Sequence, residues 1–144
     1  MRILIAEDDI VSSKLLRRAL EKMGHEVTSV TNGAEAWSCF CDLEFPLVIS
    51  DWMMPEVDGP ELCRRIRARN SGSYSYLILI TSKDSQEDRL EAIAWGADDF
   101  LVKPIDYPEL VARLSVAQRI IAMQDQVRSH SNDMERLEIG RAHV

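Results

Sequence analysis

The sequence has few of the features that mark secreted, membrane-spanning or metal-cluster proteins. It contains 3 cysteines in 144 residues, at positions 39, 41 and 63, and no CxxC pair. This pattern argues against a disulfide framework and against structural zinc, and it favours plain thiols. No apolar run approaches the roughly 18 residues of a membrane span, and the first run ends in acids after a few residues, unlike a secretory signal. We therefore expect a cytoplasmic protein with no membrane partner.

The composition is that of an ordinary globular domain with a modest extension. Hydrophobic residues make up 46% of the chain and charged residues 28%, which is typical of a folded domain. A chain of this length can bury a substantial core. The formal net charge of -7 argues against a nucleic-acid surface within these residues. Composition thus indicates a folded globular domain, and any inference about function has to come from the motifs.

Short apolar runs alternate with amphipathic stretches along most of the chain. The runs begin near residues 2, 27, 47, 77 and 100, and they are largely apolar throughout. Between them apolar residues recur at helical spacing, as from Val11 to Met23. Strands that are apolar on both sides are buried on both faces, so five such strand-helix units predict a parallel sheet covered by helices on both faces.

Four of the predicted strands are followed directly by polar residues, which are Glu7, Asp8 and Asp9, then Asp51, then Thr81 and Ser82, and finally Lys103. The carboxyl ends of parallel strands share one edge of the sheet, where binding sites form. Crowded carboxylates repel each other unless a cation neutralises them, and Mg²⁺ suits such oxygen ligands. A lysine beside them suits an incoming phosphoryl group. Any one of these residues could be a solvated loop residue, but together they indicate a site.

The ordered set of motifs resembles the receiver domain of two-component response regulators over roughly residues 1 to 120. The motifs are ILIAEDD, SDWMMPEVDG, ILITS and GADDFLVKP. The resemblance implies a flavodoxin-like, doubly wound α/β fold with a five-stranded parallel sheet of order 2-1-3-4-5 and an extended C-terminal helix. It also implies a histidine kinase or phosphotransfer protein as partner. Such a domain is a signalling module and not an enzyme, although it assists its own phosphorylation and dephosphorylation.

The resemblance also gives a role to each strand-end residue. Asp51 would accept the phosphoryl group, and Thr81 and Lys103 would bind its oxygens. Mg²⁺ would be held by four groups, namely Glu7, Asp8, Asp51 and the backbone carbonyl of Met53.

Two positions concern the switch that follows phosphorylation. Thr81 and Phe100 would be the switch residues, although Phe100 stands where the family often has a tyrosine and therefore lacks a hydroxyl. The family's cis peptide would be the Lys103-Pro104 bond. Glu7 replaces a more common aspartate but keeps the carboxylate.

Helical character continues past residue 119, where a receiver of this kind normally ends. The apolar spacing there is typical of a coiled-coil seam, formed by Ile120, Met123, Val127, His130, Met134 and Leu137. The alternative is a solvated amphipathic helix, because few heptads are present. We expect a receiver domain over residues 1–119 and a helical linker over 120–137, with a homodimer that phosphorylation strengthens.

The unbroken helix favours a missing C-terminal output domain of diguanylate cyclase, phosphatase or kinase type. DNA-binding outputs rank lower because they more often follow a short flexible linker. Residues 138–144, EIGRAHV, match one reading frame of a widely used sequencing adapter. We expect them to be a non-native tail.

Two rival functions were weighed against phospho-acceptance. A pseudo-receiver would bind partners without phosphorylation, but every expected pocket residue is present. An aspartate-nucleophile phosphatase of the haloacid dehalogenase type also pairs Asp with Mg²⁺. Its nucleophile lies after the first strand in a DxDxT motif, whereas Asp51 follows the third strand and precedes Trp52 and Met53.

Overall fold

A five-stranded parallel sheet forms the centre of the protein. The computed structural model describes residues 1–69, 73–82 and 86–142, with the side chains of residues 86 and 128–142 outside that description. The strands are β1 Arg2–Ala6, β2 Glu26–Val30, β3 Leu47–Asp51, β4 Tyr76–Thr81 and β5 Asp99–Val102. Their order is β2-β1-β3-β4-β5, with every pairing parallel. The predicted fold class and strand order are confirmed.

Five helices connect and follow the strands. They are α1 Ile10–Lys22, α2 Gly33–Asp42, α3 Gly59–Arg69, α4 Gln86–Ala94 and α5 Tyr107–Ala142. Four of them follow a side chain that caps the first turn. Asp9 accepts from the Val11 N–H, and Asn32 accepts from the Glu35 N–H at 2.8 Å. Asp58 accepts from the Glu61 N–H at 2.9 Å, and Asp106 accepts from the Glu109 N–H at 3.2 Å. Ser85, a residue type that suits a helix N-cap, precedes α4 but lies outside the described residues. Within the described backbone no helix is long and apolar enough to cross a membrane.

The helices bury a separate apolar cluster on each face of the sheet. On one face Phe40 of α2 and Leu62 of α3 pack with Leu79 of β4. On the other face Leu20 of α1 and Leu114 of α5 pack in a second cluster around strand residues such as Ile49. All residues of β3 and β4 are buried, as expected for uniformly apolar strands. The packed sheet therefore holds the residues at both ends of its strands in defined positions.

The C-terminal helix packs on the sheet slightly beyond the expected domain boundary at residue 119. Ile121 is 8% exposed and belongs to a buried cluster, and Ile120 packs against the same cluster. Farther along, Met123 and Val127 are 62% and 67% exposed. The apolar stripe therefore leaves the body of the domain at Met123 and Val127. The helix passes through Gly140, which the sequence predicted as the first helix breaker.

At the amino ends of β4 and β5, the Arg67 guanidinium connects three elements. It donates to the Gly96 carbonyl at 2.9 Å, to the Ser75 carbonyl at 2.7 Å and to the Asp98 carboxylate at 2.6 Å. Gly96 has φ +103°, and a Cβ there would lie 2.7 Å from Arg67 Cγ. This position therefore favours glycine both for its backbone and for the space it leaves.

Asp98 completes this network from the β5 side. Its carboxylate accepts from the Leu77 N–H at 2.8 Å and from the Tyr74 hydroxyl. Burial, followed by the hydrogen bond to Asp98, raises the pKa of Tyr74 to about 12. The ends of α3 and α4 are thus tied to the sheet at the edge opposite the strand ends that carry the predicted site.

Candidate phospho-acceptor site

The sheet brings together the polar residues that follow its strands. Glu7 follows β1, Asp51 ends β3, Thr81 ends β4 and Lys103 follows β5. The register aligns these ends, since Ala6 pairs with Ser50, Asp51 with Ile80, and Thr81 with Val102. The convergence predicted from the sequence is confirmed.

Lys103 bridges two carboxylates at the centre of the site. Its Nζ lies 3.1 Å from Asp51 Oδ2 and 3.2 Å from Glu7 Oε2. Glu7 is 2% exposed and Asp51 9%, so the lysine provides charge where water has little access. The Lys103 N–H also donates to the Thr81 carbonyl at 2.8 Å. The Lys103-Pro104 bond that follows is cis, as predicted.

The electrostatics of the site reflect both burial and pairing. Burial raises the pKa of Glu7, and the charge of Asp51 raises it further, against hydrogen bonds from the Asp9 N–H and Lys103. Burial alone would lower the pKa of Lys103, but its hydrogen bonds to Asp51 and Glu7 outweigh that effect and raise it. The lysine therefore remains a cation, while the site holds more carboxylate charge than one lysine can balance.

Three carboxylates could jointly hold a cation. Glu7, Asp8 and Asp51 each offer an oxygen, and these oxygens lie within 4.8 Å of one another. An all-oxygen carboxylate set suits a hard divalent ion such as Mg²⁺. Asp9 is not in this set. Its carboxylate accepts from the Ser12 hydroxyl at 2.7 Å and from the Val11 N–H at 3.2 Å.

A cavity of about 170 Å³ opens beside Asp51, and its lining residues are Asp51, Trp52, Met53, Thr81, Ser82, Asp88 and Lys103. The sequence had indicated most of these residues. It gave no signal for Asp88, which lies on α4 and not at a strand end. The Met53 side chain is 72% exposed, and the metal-binding role of its carbonyl stays a prediction. Lys83, which follows Ser82 in the sequence, lies outside the described residues.

The loop after β3 approaches the acceptor closely because α3 begins with glycine. A Cβ on Gly59 would lie 2.5 Å from the Asp51 carbonyl oxygen. The Gly59 N–H donates to the Trp52 carbonyl at 2.8 Å, and the Trp52 N–H donates to Ile80 at the same distance. These bonds fix the backbone directly after the acceptor, and a larger residue at position 59 would displace it.

The two predicted switch residues lie on the same face of the sheet. Phe100 pairs with Leu79 across the β4–β5 ladder, and Thr81 is two residues beyond Leu79. The Phe100 ring is half-buried. The Arg89 guanidinium carbon lies 4.6 Å from its centroid and that of Arg113 5.9 Å. Sequence reasoning missed both arginines because no local pattern links helical positions 89 and 113 to a strand residue.

Comparison with known proteins agrees with this geometry. The family model of the response regulator receiver domain matches residues 3–115. The phosphate regulon transcriptional regulatory protein PhoB of Rhizobium meliloti is 40% identical over 118 residues, which are 82% of this chain and 52% of the relative. The chain spans about half the length of such curated relatives.

Solved structures show the same relationship. The receiver domain of the Francisella response regulator 1452 superposes with a TM-score of 0.76 at 29% identity, covering 82% of this chain and 96% of that one. The receiver domain of the Pseudomonas aeruginosa sensor histidine kinase PA1611, described with a magnesium ion coordinated in its active site cleft, gives 0.73 at 30% identity, covering 84% and 97%. With its sheet order, its acidic cluster and the family match over residues 3–115, this chain belongs to the receiver domain family of two-component response regulators.

Proposed function

We propose that Asp51 accepts a phosphoryl group from the phosphohistidine of a histidine kinase or phosphotransfer protein. The observation that carries the proposal is the Lys103 ammonium lying between Asp51 and Glu7, at 3.1 and 3.2 Å. A buried carboxylate with an adjacent cation, open to a cavity of about 170 Å³, is suited to nucleophilic attack on phosphorus. The half-buried position of Lys103 leaves its ammonium accessible to phosphoryl oxygens as well.

The transfer exchanges one bond to phosphorus for another. An Asp51 carboxylate oxygen forms the new P–O bond as the P–N bond of the donor breaks, and the imidazole leaves with that electron pair. The product on Asp51 is a mixed carboxylic-phosphoric anhydride. Lys103 would balance charge on the phosphoryl oxygens, and the Thr81 hydroxyl at the end of β4 would donate to one of them.

Glu7, Asp8, Asp51 and the Met53 carbonyl would hold Mg²⁺, which when bound neutralises the carboxylates and the phosphoryl oxygens. The fit rests on the mutual 4.8 Å spacing of the three carboxylates. The related PA1611 receiver, described with magnesium in its cleft, supports the same assignment.

Phosphorylation from a small donor tests the proposal directly. The protein should gain a single phosphoryl group from acetyl phosphate, detected by intact-mass spectrometry, and the gain should require Mg²⁺. Asp51→Asn should abolish it, because an amide is nearly isosteric with the carboxylate but a poor nucleophile. Asp58→Asn is the matched control. Asp58 accepts from the Glu61 N–H at the start of α3, and asparagine caps helices equally well.

Each rival function predicts a different result. A pseudo-receiver would take up no phosphoryl group under any condition. An aspartate-nucleophile phosphatase would hydrolyse phosphate monoesters with multiple turnovers. Undiminished phosphorylation of Asp51→Asn, mapped to another residue, would refute the assignment of the acceptor.

The output module of the whole protein is a further proposal. The relatives from Rhizobium meliloti and Mycobacterium tuberculosis are named transcriptional regulatory proteins. These names favour a DNA-binding output over the cyclase, phosphatase or kinase module expected from the unbroken helix. Within the residues present here, the net charge of -7 still argues against a nucleic-acid surface. Fusing each type of module to this receiver and measuring phosphorylation-dependent activity would decide between them.

We also infer a homodimer that phosphorylation strengthens. Met123 and Val127 are 62% and 67% exposed on α5, and a second copy would cover this stripe. Of the other predicted seam residues, Ile120 packs against the core of the domain, and His130, Met134 and Leu137 lie outside the described side chains. Sedimentation with and without beryllofluoride should show a weak dimer that tightens with the mimic. A monomer under both conditions at high concentration would mean that the stripe is only an amphipathic tail.

A further inference from the structure

The Phe100 ring is held by charges and not by the apolar core. It belongs to neither of the buried clusters formed by the described residues. Instead the Arg89 guanidinium carbon lies 4.6 Å from its centroid, and that of Arg113 lies 5.9 Å away. Both distances are within the range of cation–π attraction. An aromatic side chain facing one core cluster thus stays half-buried beneath two cations.

The fold places Arg89 over this ring for a simple reason. Ala92 is 1% exposed and packs in the cluster beneath α4, and Arg89 lies three positions before it on the same side of the helix. By contrast, Leu90 and Ile93 are 60% and 61% exposed. The face of α4 that meets the sheet therefore carries Arg89 toward β5.

Arg113 is held by ion pairs as well as by its contact with the ring. Arg113 makes two bonds to Asp99, at 2.8 and 2.9 Å, and one to Glu109 at 3.1 Å. These ion pairs fix Arg113 independently of the ring, and its guanidinium is the more distant one. Arg89 is closer, and it comes from the helix whose first turns border the phospho-acceptor cavity through Asp88. The Arg89 contact is therefore the better placed to connect the cavity with Phe100.

We propose that Arg89 is a positioning residue that holds the Phe100 ring in its half-buried position by a cation–π contact and so opposes inward rotation of the ring. The inference rests on the proposed function, in which the Thr81 hydroxyl donates to a phosphoryl oxygen on Asp51. Thr81 and Phe100 lie on the same face of β4 and β5, so a shift of Thr81 toward the phosphoryl group would free space for the ring. A tyrosine here could be held through its hydroxyl. Phenylalanine offers only its ring, so the guanidinium supplies the contact.

The Arg89–Phe100 contact determines how readily the protein adopts the conformation in which the ring has rotated inward. An interaction made in only one of two states shifts their equilibrium by its own free energy. Cation–π contacts at partly exposed sites are weak, so Arg89→Gln should tighten binding of a phosphoryl mimic by about two- to fivefold. Arg89→Lys keeps a cation near the ring and should give a smaller change. The effect should disappear when the ring itself is removed.

A double-mutant cycle with beryllofluoride as the probe tests this. Affinity in saturating Mg²⁺ can be read from the fluorescence of Trp52, which lines the cavity. The cycle compares wild type, Arg89→Gln, Phe100→Leu and the double variant. Arg119→Gln removes an exposed arginine from α5 and should leave the affinity unchanged. We expect Arg89→Gln to tighten binding only where Phe100 is present.

The outcomes separate this inference from the function on which it rests. Unchanged or weaker binding by Arg89→Gln, with Asp51→Asn still abolishing it, would overturn the role of Arg89 and leave the acceptor intact. Equal tightening in the Phe100→Leu background would also overturn it, since the effect would then not pass through the ring. A wild-type protein that binds no beryllofluoride would overturn both.

Discussion

Replacing Lys103 with methionine should destabilise the metal-free protein at neutral pH. The substitution keeps most of the side-chain volume and removes the cation that lies 3.1 Å from Asp51 and 3.2 Å from Glu7. Two carboxylates with little access to water then face each other without a positive partner. The cost falls on the folded state, because both groups are solvated in the unfolded chain.

The magnitude follows from the geometry. At an effective dielectric constant of about 20, each attraction at these distances is worth about 5 kcal/mol before desolvation is subtracted. Removing one partner of a buried ion pair costs about 3 to 5 kcal/mol. The Lys103 side chain is 29% exposed, so water partly screens the carboxylates. We therefore expect a loss of about 2 to 3 kcal/mol in the free energy of unfolding.

Lowering the pH should recover part of this loss. The pKa of Glu7 is already raised by burial in the wild type, and removing the lysine raises it further. A carboxyl group with a raised pKa in the folded state binds protons more tightly there than in the unfolded chain. Stability therefore increases as the pH falls through the folded-state pKa, and the gain is complete once the pH is below the unfolded-state pKa.

Urea denaturation at neutral and mildly acidic pH measures these quantities. Lys14→Met, at an exposed position on α1, is the matched control and should change stability by less than about 0.5 kcal/mol. Adding Mg²⁺ or introducing Asp51→Asn should each restore much of the stability lost in Lys103→Met. If Lys103→Met behaves like Lys14→Met, or if its loss does not depend on pH, the charge imbalance that we describe is wrong.

Three further predictions address the rest of the structure. Asp8→Ala should weaken Mg²⁺ binding more than Asp9→Ala in a metal titration, and Asp9→Ala should instead cost about 1 kcal/mol of stability as a lost helix cap; the reverse order would shift the metal pair by one residue. Gly59→Ala should slow phosphorylation from acetyl phosphate by displacing the backbone of Asp51, and rates equal to wild type would show that the loop yields without cost. Arg67→Met should lower the free energy of unfolding by about 2 to 4 kcal/mol, because it removes the cation that pairs with the partly buried Asp98 carboxylate. Phosphorylation should still proceed in this variant. A change below about 0.5 kcal/mol in urea denaturation would show that the Arg67 network contributes little to stability.

The fold and the centre of the site could be predicted because both follow from local sequence patterns. Apolar runs identify most of the strands, and the residue after each run lies at a known edge of a parallel sheet. Asp51 and Lys103 were therefore found without any knowledge of tertiary contacts. The choice of Asp8 over Asp9 came from the resemblance, and the structure adds a physical reason, since the Asp9 carboxylate caps α1.

Contacts between distant elements could not be predicted in this way. Arg67 reaches Gly96 across 29 positions of sequence, and Arg89 reaches Phe100 from a helix to a strand. The local pattern does not distinguish Arg67 from Arg64 and Arg69, which are exposed on the same helix. Which cation meets which ring or carboxylate depends on how helices pack on the sheet, and hydrophobic periodicity specifies the face of a helix but not its neighbours.

The two ends of the strands have different roles: the amino ends contribute stability, and the carboxyl ends carry the proposed phosphorylation site. At one edge the Arg67 guanidinium satisfies carbonyls and the Asp98 carboxylate together, so charges and hydrogen bonds are matched and the ends of α3 and α4 are held. At the other edge Glu7, Asp8 and Asp51 carry more negative charge than Lys103 can balance. That imbalance costs stability, but it makes the conformation at this edge sensitive to a cation or a phosphoryl group.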